Sequence, residues 1–145
     1  MFEAEVRRAP FDVAAAHARL SALGPGVGAV VLFTGQVRDE PLFLEHYPGM
    51  AERQMAARIA EARARWPLLG ALAIHRFGAL DVGELIVLVG TASAHRAAAF
   101  ESAAFLMDWL KTSAPFWKRG RAGWVEARAS DDAAARRWLP SKGEG

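Results

Sequence analysis

The sequence predicts an α+β fold with a mostly antiparallel sheet and packed helices. Three observations support this. Strand-like and helix-like segments are mixed without strict βαβ alternation, and no repeat with a period of roughly 20 to 50 residues is visible. The chain has 145 residues, 52% of them hydrophobic, which suffices for one core and is short for two. A single domain over residues 1–140 is expected, followed by a loose tail over 141–145.

The elements follow in order. Phe2 to Arg7 alternates apolar and charged residues as an edge strand does. Asp12 can cap a helix through His17 and Leu20 to Leu23, closed by Gly24-Pro25-Gly26. These glycines do not form a dinucleotide loop, because the spacing fails at Ala29 and an apolar strand follows. Gly28 to Val37 reads as a buried strand and Leu42 to Tyr47 as a second one. Pro48 fits the first turn of a helix in which Ala51, Met55, Ile59, Ala62 and Trp66 recur on one face. Glu61 and Arg65 form an exposed i,i+4 pair there, and Pro67 stops the helix.

Ala71 to Phe77 and Glu84 to Thr91 read as neighbouring strands joined by residues 78–83, the second apolar enough to be central in a sheet. A helix from about His95 to Ser113 carries Phe100, Ala103, Ala104, Met107 and Leu110 on one side. Ala98, Phe105 and Trp109 cover the other, so one face should meet something beyond a simple core, such as a second subunit. Gly123 to Arg128 reads as a short closing strand and Asp131 to Trp138 as a small terminal helix.

Composition narrows the chemistry. A formal charge of +2 with scattered arginines argues against nucleic acid, although local anion binding stays open. Without cysteine there is no disulfide, no thiolate metal site and no persulfide on this chain, so sulfur or acyl chemistry needs an outside carrier. The acidic start and the lack of a long apolar run point to a soluble, cytoplasmic protein. No serine-nucleophile elbow, P-loop or H-E-x-x-H occurs, and no partner at ligand spacing accompanies His46, so neither metal nor cofactor is expected.

Only three lysines stand against fifteen arginines, and Lys111 and Lys118 bracket one aromatic stretch, Asp108-Trp-Leu-Lys-Thr-Ser-Ala-Pro-Phe-Trp-Lys118. Lysine, unlike arginine, gives up its proton when desolvated or crowded by cations. Lys111 falls about 40° from the centre of the helix's apolar stripe, near the core edge. It serves either as a desolvated acid–base group or as a cation favouring the helix C-terminus. Beyond Pro115 the chain should extend, with Phe116 and Trp117 walling a pocket and Lys118 turning back towards Lys111; the alternative is a solvated loop lysine beside Arg119. His95 and Arg96 open the same helix, where free N–H groups favour anions, and with Arg38 they could seat a phosphate or carboxylate. The alternative is a helix cap and surface arginines. His75 has an ordinary sheet role, and His17 is structural or exposed.

Five ordered blocks, Phe33-Thr-Gly-Gln-Val-Arg38, Leu44-Glu-His-Tyr-Pro-Gly-Met-Ala51, Ile74-His-Arg-Phe-Gly78, Ser93-Ala-His-Arg96 and Asp108 to Lys118, closely resemble the large, catalytic subunit family of molybdopterin synthase. The similarity runs from about Phe2 to Trp138. It implies an α/β-hammerhead fold and a homodimer flanked, in a heterotetramer, by two small ubiquitin-like sulfur carriers. Each carrier would insert a C-terminal Gly-Gly thiocarboxylate, and the substrate would be cyclic pyranopterin monophosphate, converted to the dithiolene of molybdopterin. The resemblance implies Lys111 and Lys118 as catalytic residues, with Gln36, Val37, Arg38, His95, Arg96 and Arg119 completing the substrate site. Two departures stand out: the segment between Arg38 and Leu44 is short, and Gly120 follows Arg119 where the family commonly has a carboxylate. Two rival readings are a non-catalytic scaffold that binds a ubiquitin-like partner or sibling through Phe105 and Trp109, and a phosphate-ester hydrolase using Arg38 and His95.

Overall fold

The computed structural model describes residues 1–112, 116–120, 123–125 and 137–138, with backbone alone for 117–120 and 123–125. The order is β1 (Phe2–Arg7), α1 (Val13–Ser21), β2 (Ala29–Gln36), β3 (Leu42–His46), α2 (Met50–Arg65), β4 (Leu68–Arg76), β5 (Gly78–Leu80), β6 (Leu85–Ser93), α3 (Arg96–Thr112), β7 (Phe116–Gly120) and β8 (Gly123–Val125). One sheet runs β1-β4-β6-β2 and a second runs β5-β3-β7-β8. All pairings are antiparallel except β1 with β4, so the α+β expectation holds.

Period-two alternation on the central strands makes two cores. Ala71, Ala73, Val87 and Val89 point to one face with Met55, Ile59, Ala62, Ala103 and Leu106 of α2 and α3. Leu72, Ile74 and Leu88 point to the other, where Ala16 of α1 packs. Gly90 permits the α1 layer to close, since a Cβ there would lie 2.5 Å from Leu20 Cδ1 and 2.8 Å from Leu32 Cδ2. Asp12 caps α1 as expected, accepting from Ala15 N at 3.0 Å. Glu61 pairs with Arg65 at 3.7 Å and with Arg58 at 2.7 Å.

Three expectations need correction. The strand over Gly28–Val37 is not buried: β2 is a sheet edge, half-exposed along its length, with Phe33 40% exposed. An apolar run shows that a strand can be buried on its faces, not that it has a neighbour on each side. Pro48 lies outside α2, whose N-cap is Gly49 at φ +81°, a left-handed conformation that glycine adopts without a Cβ penalty. Phe100 is 62% exposed, and the sheet-facing stripe of α3 runs instead through Ala99, Ser102, Ala103 and Leu106.

The second apolar side of α3 is covered by this chain itself. Phe105 is 4% exposed and meets Trp66 at 5.4 Å and Trp138 at 5.6 Å between ring centroids. Arg65 lies over the Trp66, Phe105 and Trp138 rings, and Arg58 lies over Trp109. Asp108 accepts from Trp138 Nε1 and pairs with Arg137 at 2.8 Å, which fastens the C-terminal turn to α3. Of the terminal helix expected over Asp131–Trp138, only this turn is described; the 141–145 tail lies outside the described residues.

At one end of the central sheet the Arg76 side chain, 7% exposed, is held by four hydrogen bonds to three acceptors. It donates to Arg8 O at 3.1 and 3.0 Å, to Leu85 O at 3.1 Å and to Glu84 Oε1 at 3.3 Å. The backbone N–H of Asp81 beside its carboxylate, and then Arg76, hold Glu84 below the usual glutamate value of 4.5 against an opposing desolvation effect. A depressed folded pKa stabilises the protein above the ordinary carboxylate value, and that stabilisation is lost as pH falls through the depressed one. Urea denaturation between neutral and acid pH should therefore show an acid-side loss of stability that is smaller in Glu84→Gln. For the core, Leu88→Ala should cost about 2–5 kcal/mol in the same measurement, because Leu88 is fully buried between the layers.

Candidate active site

Gln36, Val37 and Arg38 leave the end of β2. The ladder is irregular between Gly35 and Gln36, and Gln36 lies opposite Leu85. Val37 is buried, donates to Glu84 O at 2.9 Å and accepts from Gly83 N at 2.8 Å, so the chain is pinned one residue before Arg38. Gln36 and Arg38 are exposed. Arg38 Nε is 3.9 Å from the Asp39 carboxylate, with side chains 69% and 84% exposed, a pairing too solvated to compete strongly with a bound dianion.

Lys111 occupies the last turn of α3 and is exposed, which fits the second of its two readings, a cation at the helix C-terminus, better than a desolvated amine at the core edge. Leu106 and Met107 are buried one turn earlier, whereas Asp108, Trp109 and Leu110 in the turn between are only partly so. Lys118 lies opposite Leu44 and Val125, and Arg119 opposite Phe43 and Trp124, in the extended backbone expected after Pro115. The expected turn of the Lys118 side chain towards Lys111, and the wall formed by Trp117, lie outside the described residues.

These groups share one end of the molecule. The second sheet is joined to the first through β5, which starts two residues after Arg76 ends β4. Thr91 Oγ1 donates to Ala99 O at 2.7 Å, which fixes the first turns of α3 beside the last residues of β6. From there α3 runs back along β6 and β2, so its final turn reaches the end where Gln36 pairs with Leu85. The backbone of Gln36, Val37, Arg38, Lys111, Lys118 and Arg119 therefore lies towards the same end of the first sheet.

His95 and Arg96 do not. They follow Ser93, which pairs with Ala29 and Leu68 at the opposite end of the sheet, and both are exposed. The nine residues of β6 span roughly 26 Å at the usual strand rise. Gly28 holds this far corner in place: a Cβ there would lie 2.2 Å from Ala94 O, directly before His95.

The remaining histidines are structural in surroundings. His17 is exposed, with Nδ1 3.3 Å from Ser21 Oγ. His46 packs on Phe77 at 4.3 Å, and His75, 6% exposed, stacks on Phe116 at 3.7 Å. Among the described residues no three His, Asp or Glu side chains gather as a metal site would require. Letter-by-letter reading missed the Arg76–Glu84 pair beneath the cationic corner. Its available signal was a lone arginine ending an apolar strand and an acid opening the next one.

The MoaE protein family matches residues 6–113. The chain belongs to that family. It is 53% identical to a molybdopterin synthase catalytic subunit of Mesorhizobium japonicum, covering 94% of this chain and 92% of that one. Identity to the Pseudomonas aeruginosa protein of the same name is 51%, over 92% and 96%. Among solved structures, a molybdopterin biosynthesis MoaE protein from Burkholderia ambifaria superposes with a TM-score of 0.84 at 43% identity, covering 95% and 98%. The fold also matches a protein–protein complex of subunits 1 and 2 of molybdopterin-converting factor from Helicobacter pylori, at TM-score 0.70 and 19% identity over 98% and 97%.

Gly28→Ala should be destabilised by roughly 1–3 kcal/mol in denaturant titration, because the clash is with backbone and cannot be relieved by a rotamer change. A Gly26→Ala control should be nearly silent, since its nearest neighbour would be Leu69 Cδ1 at 3.8 Å.

Proposed function

We propose that this chain is the catalytic subunit of a molybdopterin synthase, which transfers sulfur from the C-terminal thiocarboxylate of a small ubiquitin-like carrier to cyclic pyranopterin monophosphate. The reading is supported most by membership of this family together with backbone that carries Gln36–Arg38, Lys111, Lys118 and Arg119 towards the same end of the first sheet. The absence of cysteine fits the same reading, because the sulfur is supplied by another polypeptide.

In this reading Lys111 and Lys118 move protons as the thiocarboxylate sulfur adds to the pterin side chain and the cyclic phosphate opens, and their charges offset the anions brought together. Arg38 and Arg119 hold the phosphate, while Gln36 and the pinned backbone at Val37 position the ring. His95 and Arg96 lie some 26 Å away along β6, too far to touch the same substrate within one chain. A second copy would bring its own far corner to this site, which makes a homodimer necessary for a complete pocket and places a carrier on each side, in a cytoplasmic heterotetramer.

The rival readings fare worse. A scaffold that docks through Phe105 finds that side chain 4% exposed inside its own chain. A phosphatase built on Arg38 and His95 finds them at opposite ends of the sheet.

With thiocarboxylated carrier and pterin precursor supplied, Lys111→Ala and Lys118→Ala should each lower dithiolene formation by about 10²-fold or more with unchanged circular dichroism. Full activity of both variants would overturn the catalytic assignment. Mixing Lys118→Ala with Arg96→Ala under conditions of subunit exchange should restore about a quarter of wild-type activity, since half the dimers then carry one intact site of two. No recovery would place both corners' contributions within a single chain.

A further inference from the structure

Two imidazoles outside the proposed proton chemistry bracket the strand that carries Lys118. The His75 ring lies 3.7 Å from the Phe116 ring with 14° between planes, a near-parallel stack. His46, the cross-strand partner of Phe116, lies 6.0 Å from it at 28°, and its other neighbour Phe77 is 4.3 Å away. His75 is 6% exposed, and its Nδ1 is 2.8 Å from Arg76 O. A carbonyl only accepts, so Nδ1 carries the hydrogen and the ring plane is locked to the backbone. Arg76, whose carbonyl this is, is itself fixed by its bonds to Arg8, Glu84 and Leu85.

We infer that His75 is a positioning residue for catalysis, stacking on Phe116 so that β7 presents Lys118 at a fixed place relative to the corner formed by β2 and α3. Phe116 is the first residue of β7 and stands two positions before Lys118 along the same strand. Its attachment to His75 ties the second sheet's catalytic strand to the end of the first sheet. Among the described residues β7 is hydrogen-bonded to β3 and the short β8, so a freed Phe116 would remove a tie to the first sheet and let the strand shift. A misplacement of about 1 Å is enough to cost one to two powers of ten in rate.

This inference rests on the assignment of Lys118 above. The test compares His75→Ala, His75→Gln, His75→Phe and Phe116→Leu in full-length protein assembled with its carrier, with kcat and KM for the pterin measured and thermal unfolding followed in parallel. His75→Ala and His75→Gln should lower kcat about tenfold with KM changed less than about twofold, and His75→Phe, which keeps a flat ring, should recover most of the loss. Phe116→Leu should match His75→Ala, and the double variant His75→Ala/Phe116→Leu should be no worse than either single one, because both remove one contact. Wild-type kcat in a folded His75→Ala or His75→Gln, additive losses in the double variant, or no recovery in His75→Phe would overturn the inference. Should His75→Ala fail to fold, Phe116→Leu decides by the same kcat criterion. Retained turnover in Lys118→Ala would instead overturn the catalytic assignment, and so separates the two failures.

Discussion

β6 is hydrogen-bonded on both edges and buried along eight of its nine residues, and the placement of every cation of interest depends on it. A strand paired on two sides cannot slip without exposing its whole core face, because a one-residue shift turns every side chain over. Its register is therefore fixed, and its length sets the distance between the corner near Gln36 and the corner near His95.

Each end of this strand is tied down by polar groups that have lost water and found partners. At its start the Arg76 guanidinium joins the segment after β1, the end of β4 and the start of β6 through two carbonyls and one carboxylate. At its end, buried Thr91 donates to α3 and Ser93 Oγ donates to Pro67 O at 2.8 Å. Buried donors left unpaired would cost about 1–3 kcal/mol each, so these ends resist fraying.

Much of the fold was legible because local rules were obeyed. Asp12 caps where it should, Ala51, Met55, Ile59 and Ala62 are buried at helical spacing, and the alternation of Leu72 and Leu88 against Ala73 and Val89 is that of a two-faced sheet. The errors came where neighbours decide. Nothing in the letters of Ala29 to Gln36 says that no strand pairs on the outer side of β2, and nothing in Phe105 says that Trp66 and Trp138, 39 residues before it and 33 after it, will cover it. For Lys111 a helical wheel left two readings open, because it assigns a residue to a face and not to a depth; the fold leaves it exposed in the last turn of α3.

The sequence by itself pointed to the class of chemistry, through two lysines in an aromatic segment, arginines of a kind suited to phosphate and no cysteine. It also determined the family, since ordered blocks of letters survive any uncertainty about where they fold. Only the tertiary structure decided which of those residues share an end of the first sheet. Antiparallel pairing of β2 with β6 brings residues 36 and 85 side by side and sends residue 95 to the far end, a separation set by strand rise and pairing direction, neither of which any single segment contains.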